Sequence, residues 1–137
     1  MALLWREAMS VGDPGLDSDH KRFLALVDDA ELARNFRDAE RVARGLLAFA
    51  DSHFPHEEAL LHAAQASGLA PEAARHLAEH RKLHSLISDF IVTNFESETT
   101  VTDEETLKRL RQIVSLWLNK HFLETDRALK GLPKAPD

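Results

Sequence analysis

The chain contains no cysteine, which excludes disulfides, iron–sulfur clusters and thiolate zinc sites. No apolar run approaches the ~18 residues of a membrane-spanning helix. The N-terminus, Met1-Ala-Leu-Leu-Trp-Arg-Glu7, lacks the export-signal layout of basic residues followed by an apolar block. Excess positive charge is missing too. A formal net charge of −6 argues against nucleic acid or an anionic membrane surface as the main partner. No internal repeat, low-complexity stretch or second domain is visible. The expectation is a cytoplasmic protein without membrane insertion. At 137 residues, 44 % hydrophobic and 29 % charged, it is long enough for one soluble domain, residues 1–137, with a real core. What the chain does have is histidine, eight in all.

Hydrophobic spacing predicts four helices, at about 18–37, 39–66, 71–95 and 103–130, behind an extended arm at about 1–16. Gly12-Asp13-Pro14-Gly15 is a turn signal, Trp5 is expected to anchor the arm, and Asp17 or Ser18 to cap the first helix. Phe23, Leu24, Val27, Ala30 and Ala33 form that helix's apolar stripe, with His20 one turn before Leu24. On the second helix Leu46, Phe49 and His53 share a stripe continued by Glu57. Residues i and i+4 lie about 6 Å apart on one helix face, so His53 and Glu57 can reach a common centre. Pro55 falls between them, where a proline bends or breaks a helix; a continuous helix keeps the pair together.

Pro71 suits the first turn of the third helix, which carries His76, His80 and His84 at steps of four. Two histidines at i and i+4 are a helical metal pair, and the ladder leaves 76/80 and 80/84 both open. Thr102-Asp-Glu-Glu105 is a capping box opening the fourth helix, where Leu107, Leu110, Val114, Trp117 and His121 repeat at bundle spacing. Short links between helices predict an all-α, antiparallel up-down-up-down four-helix bundle.

Singly, each of these histidines is unexceptional. Together, every predicted helix places at least one on its apolar seam, and a core holding imidazoles and a carboxylate without partners would be badly destabilised. A metal centre resolves this, since imidazole and carboxylate suit iron, zinc or manganese.

The set His20, His53-x-x-x-Glu57, His76-x-x-x-His80 and His121-x-x-x-x-Asp126 resembles the hemerythrins, in particular the single-domain bacterial type. Met9-Ser-Val-Gly12, Leu16-Asp-Ser-Asp-His-Lys21, His53-Phe54 with Glu57-Glu58, and Trp117-Leu118 before His121 resemble the family as well, so the likeness runs from about Trp5 to Leu129. One departure is Gly68-Leu-Ala-Pro71, where the family often has Gly-Tyr-Pro. The distance from Gly68 favours His76 with His80 over the register using His84.

The resemblance implies two iron ions with an oxo or hydroxo bridge. His76, His80 and His121 would hold one iron, and His20 and His53 the other, which keeps an open position. Glu57 and Asp126 would bridge them. Five residues turn an ideal helix about 140° beyond a full turn, so His121 and Asp126 cannot point alike; a local π-type bulge would ease that spacing. The implied dioxygen pocket is lined by Phe23, Leu24, Leu83, Trp117, Leu118 and Phe122, and His56, His62 and His84 are left as surface residues.

Reversible dioxygen binding for carriage, storage or delivery is the implied function. Ferritin-like di-iron enzymes use mostly carboxylate ligands; the imidazole-rich set here points to carriage rather than catalysis. The alternatives are a dioxygen or redox sensor acting through a separate partner, and a di-iron enzyme handling peroxide or nitric oxide. Expected partners are dioxygen itself and an oxygen-using enzyme or a signalling protein, with the chain a monomer.

Overall fold

The computed structural model describes residues 5–66, 68, 70–97 and 101–125. Among them are four long helices and no strand: α1 (Pro14–Leu32), α2 (Phe36–Ala66), α3 (Ala70–Ile91) and α4 (Asp103–Leu116). Two helices change winding at their C-terminal ends, α3 into a π-helical turn Val92–Glu96 and α4 into a π-helix Trp117–Thr125. No helix among the described residues is long and apolar enough to cross a membrane. The expected end of the fourth helix near residue 130 lies outside the described residues.

Both ends of α1 differ from the sequence expectation. The cap is Asp13, whose carboxylate accepts from the Leu16 N–H at 3.0 Å, and Pro14 fills the first helical position. Asp17 lies inside the helix, and its carboxylate accepts hydrogen bonds from the Ser10 hydroxyl and from the Val11 N–H at 2.9 Å. That pins the preceding segment, which turns at Gly12 with φ +82°, a left-handed conformation that favours glycine. Ahead of it lie a 3₁₀ turn, Glu7–Met9, and Trp5, which packs on the main core. Helix α1 then stops at Leu32 rather than Arg37, because a second capping pair takes over. The Asn35 side chain accepts from the Asp38 N–H at 2.9 Å, and Asp38 accepts from the Arg34 N–H at 3.0 Å. This starts α2 at Phe36 instead of Ala39.

Helix α2 runs unbroken through Pro55. Thr102 caps α4 by accepting from the Glu105 N–H at 3.2 Å. The main core draws Phe23, Leu24 and Val27 from α1, Leu46, Phe49 and Phe54 from α2, Leu83 and Ile87 from α3, and Leu110, Val114, Trp117 and Phe122 from α4 and its extension. A smaller cluster of Val11, Leu16, Leu61 and Ala73 closes one end. Burying each large side chain is worth about 1.5–3 kcal/mol, and this is what brings the four helices together.

Contacts between neighbouring helices run in opposite sequence order. His20 meets His53 and Phe23 meets Phe49 between α1 and α2. Asp51 meets His84 and Arg44 meets Glu96 between α2 and the third helical stretch. His80 meets His121 and Asn94 meets Thr106 across the next pair. Phe23 meets Trp117, and Arg111 reaches the Ala33 carbonyl, across the last.

Candidate metal centre

The apolar seams of the helices carry the polar residues singled out in the sequence into one interior site. His20, His53, His76, His80 and His121 are at most 4 % exposed, and Glu57 is fully buried. Glu57 is the hub. Its Oε1 lies 2.9 Å from His80 Nε2, 3.3 Å from His53 Nε2, 3.5 Å from His76 Nε2 and 3.8 Å from His121 Nε2. Its Oε2 lies 3.4 Å from His20 Nε2. Pro55 therefore leaves the His53–Glu57 pairing intact.

Burial pushes the Glu57 carboxyl upward, but the surrounding imidazoles of His121, His20, His53 and His76 outweigh it. They hold the acid well below the ordinary carboxylate value. The interior thus holds a carboxylate whose anionic form is stabilised by the imidazoles hydrogen-bonded around it.

The donor atoms fall into two groups that share Glu57: Glu57, His76, His80 and His121, and His20, His53 and Glu57. Within each group the donors lie within 4.8 Å of one another. Among the described residues His53 Nε2 and Glu57 Oε2 are buried without a hydrogen bond. Imidazole nitrogens and a carboxylate converging in this way, with polar atoms unspent, fit a transition-metal centre.

The register left open on α3 is decided by the packing. His76 and His80 face inward, whereas His84 is 46 % exposed and turns to Asp51, with Nε2 3.0 Å from the carboxylate. His56 is also exposed, against Asp13 and Asp19, and His62 lies on the surface. Asp126 lies outside the described residues. The segment that leads to it is the π-helix Trp117–Thr125, the type of winding that eases a five-residue spacing. Within it Trp117, His121 and Phe122 are all buried, a pattern of i, i+4 and i+5 that fits π winding.

Phe23, Leu24, Leu83, Trp117 and Phe122 are buried in the main core, and Leu118 packs against it half-buried. Phe122 meets His20 edge-on at 4.9 Å between ring centroids. Two aromatics not singled out as site residues stack directly on imidazoles. Phe54 lies parallel to His80 at 3.9 Å and Phe49 lies against His53 at 4.7 Å. Three carboxylates not expected as site residues, Asp19, Glu58 and Glu79, contact His53, His80 and His121 through Nδ1. Their adjacency to His20, Glu57 and His80 was the available signal. Partial burial raises the Asp19 carboxyl, but hydrogen bonds from His53, Arg22 and His56 prevail and hold it below its ordinary value.

A helical bundle with a buried histidine–carboxylate centre is a metal-binding protein by construction. The chain belongs to the hemerythrin family: the model of the hemerythrin HHE cation binding domain matches residues 12–132. It is similar to the bacteriohemerythrins of Pseudomonas paraeruginosa and Pseudomonas aeruginosa, 27 % identical over 131 residues, covering 90 % of this chain and 76 % of each relative. No solved structure matches it significantly. The family's metal is non-haem iron, and the histidine–glutamate cluster sits inside the matched span.

Proposed function

We propose that the chain binds dioxygen reversibly at a di-iron centre held in an antiparallel up-down-up-down bundle, and that it acts as a carrier or store rather than as an enzyme. The opposite sequence order of the contacts between successive helices, and between α1 and α4, supports the bundle reading. The observation that carries the function is the unequal division of imidazoles around one shared carboxylate. His76, His80 and His121 gather on one side of Glu57, and His20 and His53 on the other. The second group is one imidazole short, so a metal there keeps a position for a small ligand. When bound, two ferrous ions with a solvent-derived bridge supply dioxygen with two electrons and a proton, so no outside reductant is consumed and the reaction can reverse.

The rest is the work of the chain. Glu57 would hold both metals, since it belongs to both donor groups, and Asp126 would supply a second carboxylate, a role that the π winding before it favours. Phe23, Leu24, Trp117, Leu118 and Phe122 keep water and proton donors from the two-histidine side, which opposes irreversible oxidation. The preponderance of imidazole over carboxylate favours carriage over the oxidising chemistry of carboxylate-rich sites.

The test is a visible spectrum of the reduced, iron-loaded protein through cycles of aeration and evacuation, with iron measured alongside. Carriage predicts two irons per chain and a band that appears with air and fades under vacuum over several cycles. Consumption of dioxygen without recovery of the starting spectrum would make the protein an enzyme. Binding of a single iron would remove the shared-carboxylate reading.

A further inference from the structure

Three carboxylates outside the centre follow one rule of placement. Asp19 of α1 neighbours His20 in sequence but points to the next helix, where its Oδ2 lies 3.0 Å from His53 Nδ1. Glu58 of α2 neighbours Glu57 and lies 3.1 Å from His80 Nδ1 on α3. Glu79 of α3 neighbours His80 and lies 3.0 Å from His121 Nδ1 on the extension of α4. Each helix therefore braces the imidazole of the one that follows it.

A carboxylate can only accept, so each of these contacts places the proton on Nδ1 and leaves Nε2, the nitrogen facing Glu57, to coordinate. The three acids are 15 %, 34 % and 29 % exposed, so they stand between the buried imidazoles and solvent. Asp19 is itself clasped: Arg22 donates to its Oδ1 at 2.7 Å, which leaves Oδ2 for His53 at 3.0 Å and, more distantly, His56 at 3.4 Å.

We infer that Asp19, Glu58 and Glu79 are positioning residues that divide between the two metal positions, Asp19 serving the two-histidine position through His53, and Glu58 and Glu79 serving the three-histidine position through His80 and His121. The division follows from which imidazole each acid touches. It rests on the metal-centre reading and adds that the two positions are tuned separately, by different acids.

The test is titration of the metal-free protein with cobalt(II) alone, followed by the ligand-field absorption of the bound ion, with the melting temperature of each metal-free variant as a control. The unaltered chain is expected to bind two equivalents; failure to do so strikes the metal-centre reading, not this one. His53→Ala isolates the three-histidine position, and the double change His76→Ala with His121→Ala, which leaves only His80 and Glu57 on that side, isolates the two-histidine position.

In the His53→Ala background, Glu58→Gln and Glu79→Gln should each weaken cobalt binding about 10–100-fold, with Asp19→Asn without effect. In the His76→Ala/His121→Ala background the pattern should reverse. Alanine at each acid should weaken binding more than the amide does, because an amide oxygen still accepts from Nδ1–H. Equal weakening of both positions by any one acid, or no weakening by any, would overturn the assignment. If a variant fails to melt cooperatively without metal, the cobalt absorption of the same acid's amide variant in the otherwise intact chain decides. Perturbation confined to one of the two bound ions supports the division, and perturbation of both overturns it.

Discussion

Glu57 meets imidazoles from all four helices, and no other described acid does so. Replacing it by alanine would leave five imidazoles facing each other with no described acid among them, so on the proposed di-iron reading loss of metal is expected. The α3 ladder offers a sharper contrast. His80 touches Glu57, Glu58 and the Phe54 ring, whereas His84 is exposed and pairs with Asp51. His80→Ala should therefore strip at least one iron from the purified protein while His84→Ala leaves the iron content unchanged, as elemental analysis would report. Loss of iron with His84→Ala but not with His76→Ala would restore the rejected register, since His80 belongs to both. Leu118 is half-buried against the core beside the π-helical turn that carries His121. Leu118→Gln should shorten the life of the oxygenated form, measured as the decay of its visible band, if this side chain helps to exclude water.

At the scale of the helices, caps and winding determine which residues face inward. Asn35 starts α2 by accepting from the Asp38 N–H, and Asn35→Ala should cost about 1 kcal/mol in a denaturant titration. The hydrogen bond from the Arg34 N–H, against a smaller opposing effect of desolvation and with help from the Arg41 and Arg34 guanidinium charges, holds the Asp38 carboxyl below its ordinary value of 3.8. A depressed folded-state pKa contributes stability that is complete above the unfolded value and vanishes as pH falls through the folded one. Asp38→Asn should therefore destabilise the protein at neutral pH, with the difference from the unaltered chain shrinking below pH 3.8. A gap that persisted into strong acid would mean that the amide disturbs the cap by shape and not by charge. Pro55 removes one backbone donor inside α2, and Pro55→Ala should stabilise the fold by about 1–3 kcal/mol. The His53–Glu57 contact does not need the proline.

The molecule as a whole buries a polar centre inside an apolar bundle, and a metal bound there binds the folded chain alone. Chelation should lower the melting temperature by on the order of 10 °C, and added ferrous iron under anaerobic conditions should restore it. An unchanged melting curve would mean that the imidazoles satisfy one another without an ion.

Sequence alone was enough for the helical class and the capping of α4, and helical periodicity placed His20, His53, Glu57, His80 and His121 on apolar seams, where the structure buries them; the preference for His76 came with the family resemblance. Spacing within one helix is local information, and so is the absence of cysteine. What folding decided lies between helices. Spacing of four could not choose between the pairs His76/His80 and His80/His84; only the position of α2 relative to α3 turns His76 toward Glu57 and His84 toward Asp51. The acids Asp19, Glu58 and Glu79 lie beside centre residues in the chain yet serve histidines on the next helix, a relation that no single-helix pattern contains. The caps at Asp13 and Asn35 escaped notice because turn residues compete within a few positions, and packing selects among them. Periodicity determines which face a residue occupies, but the partner across that face is set by the docking of whole helices.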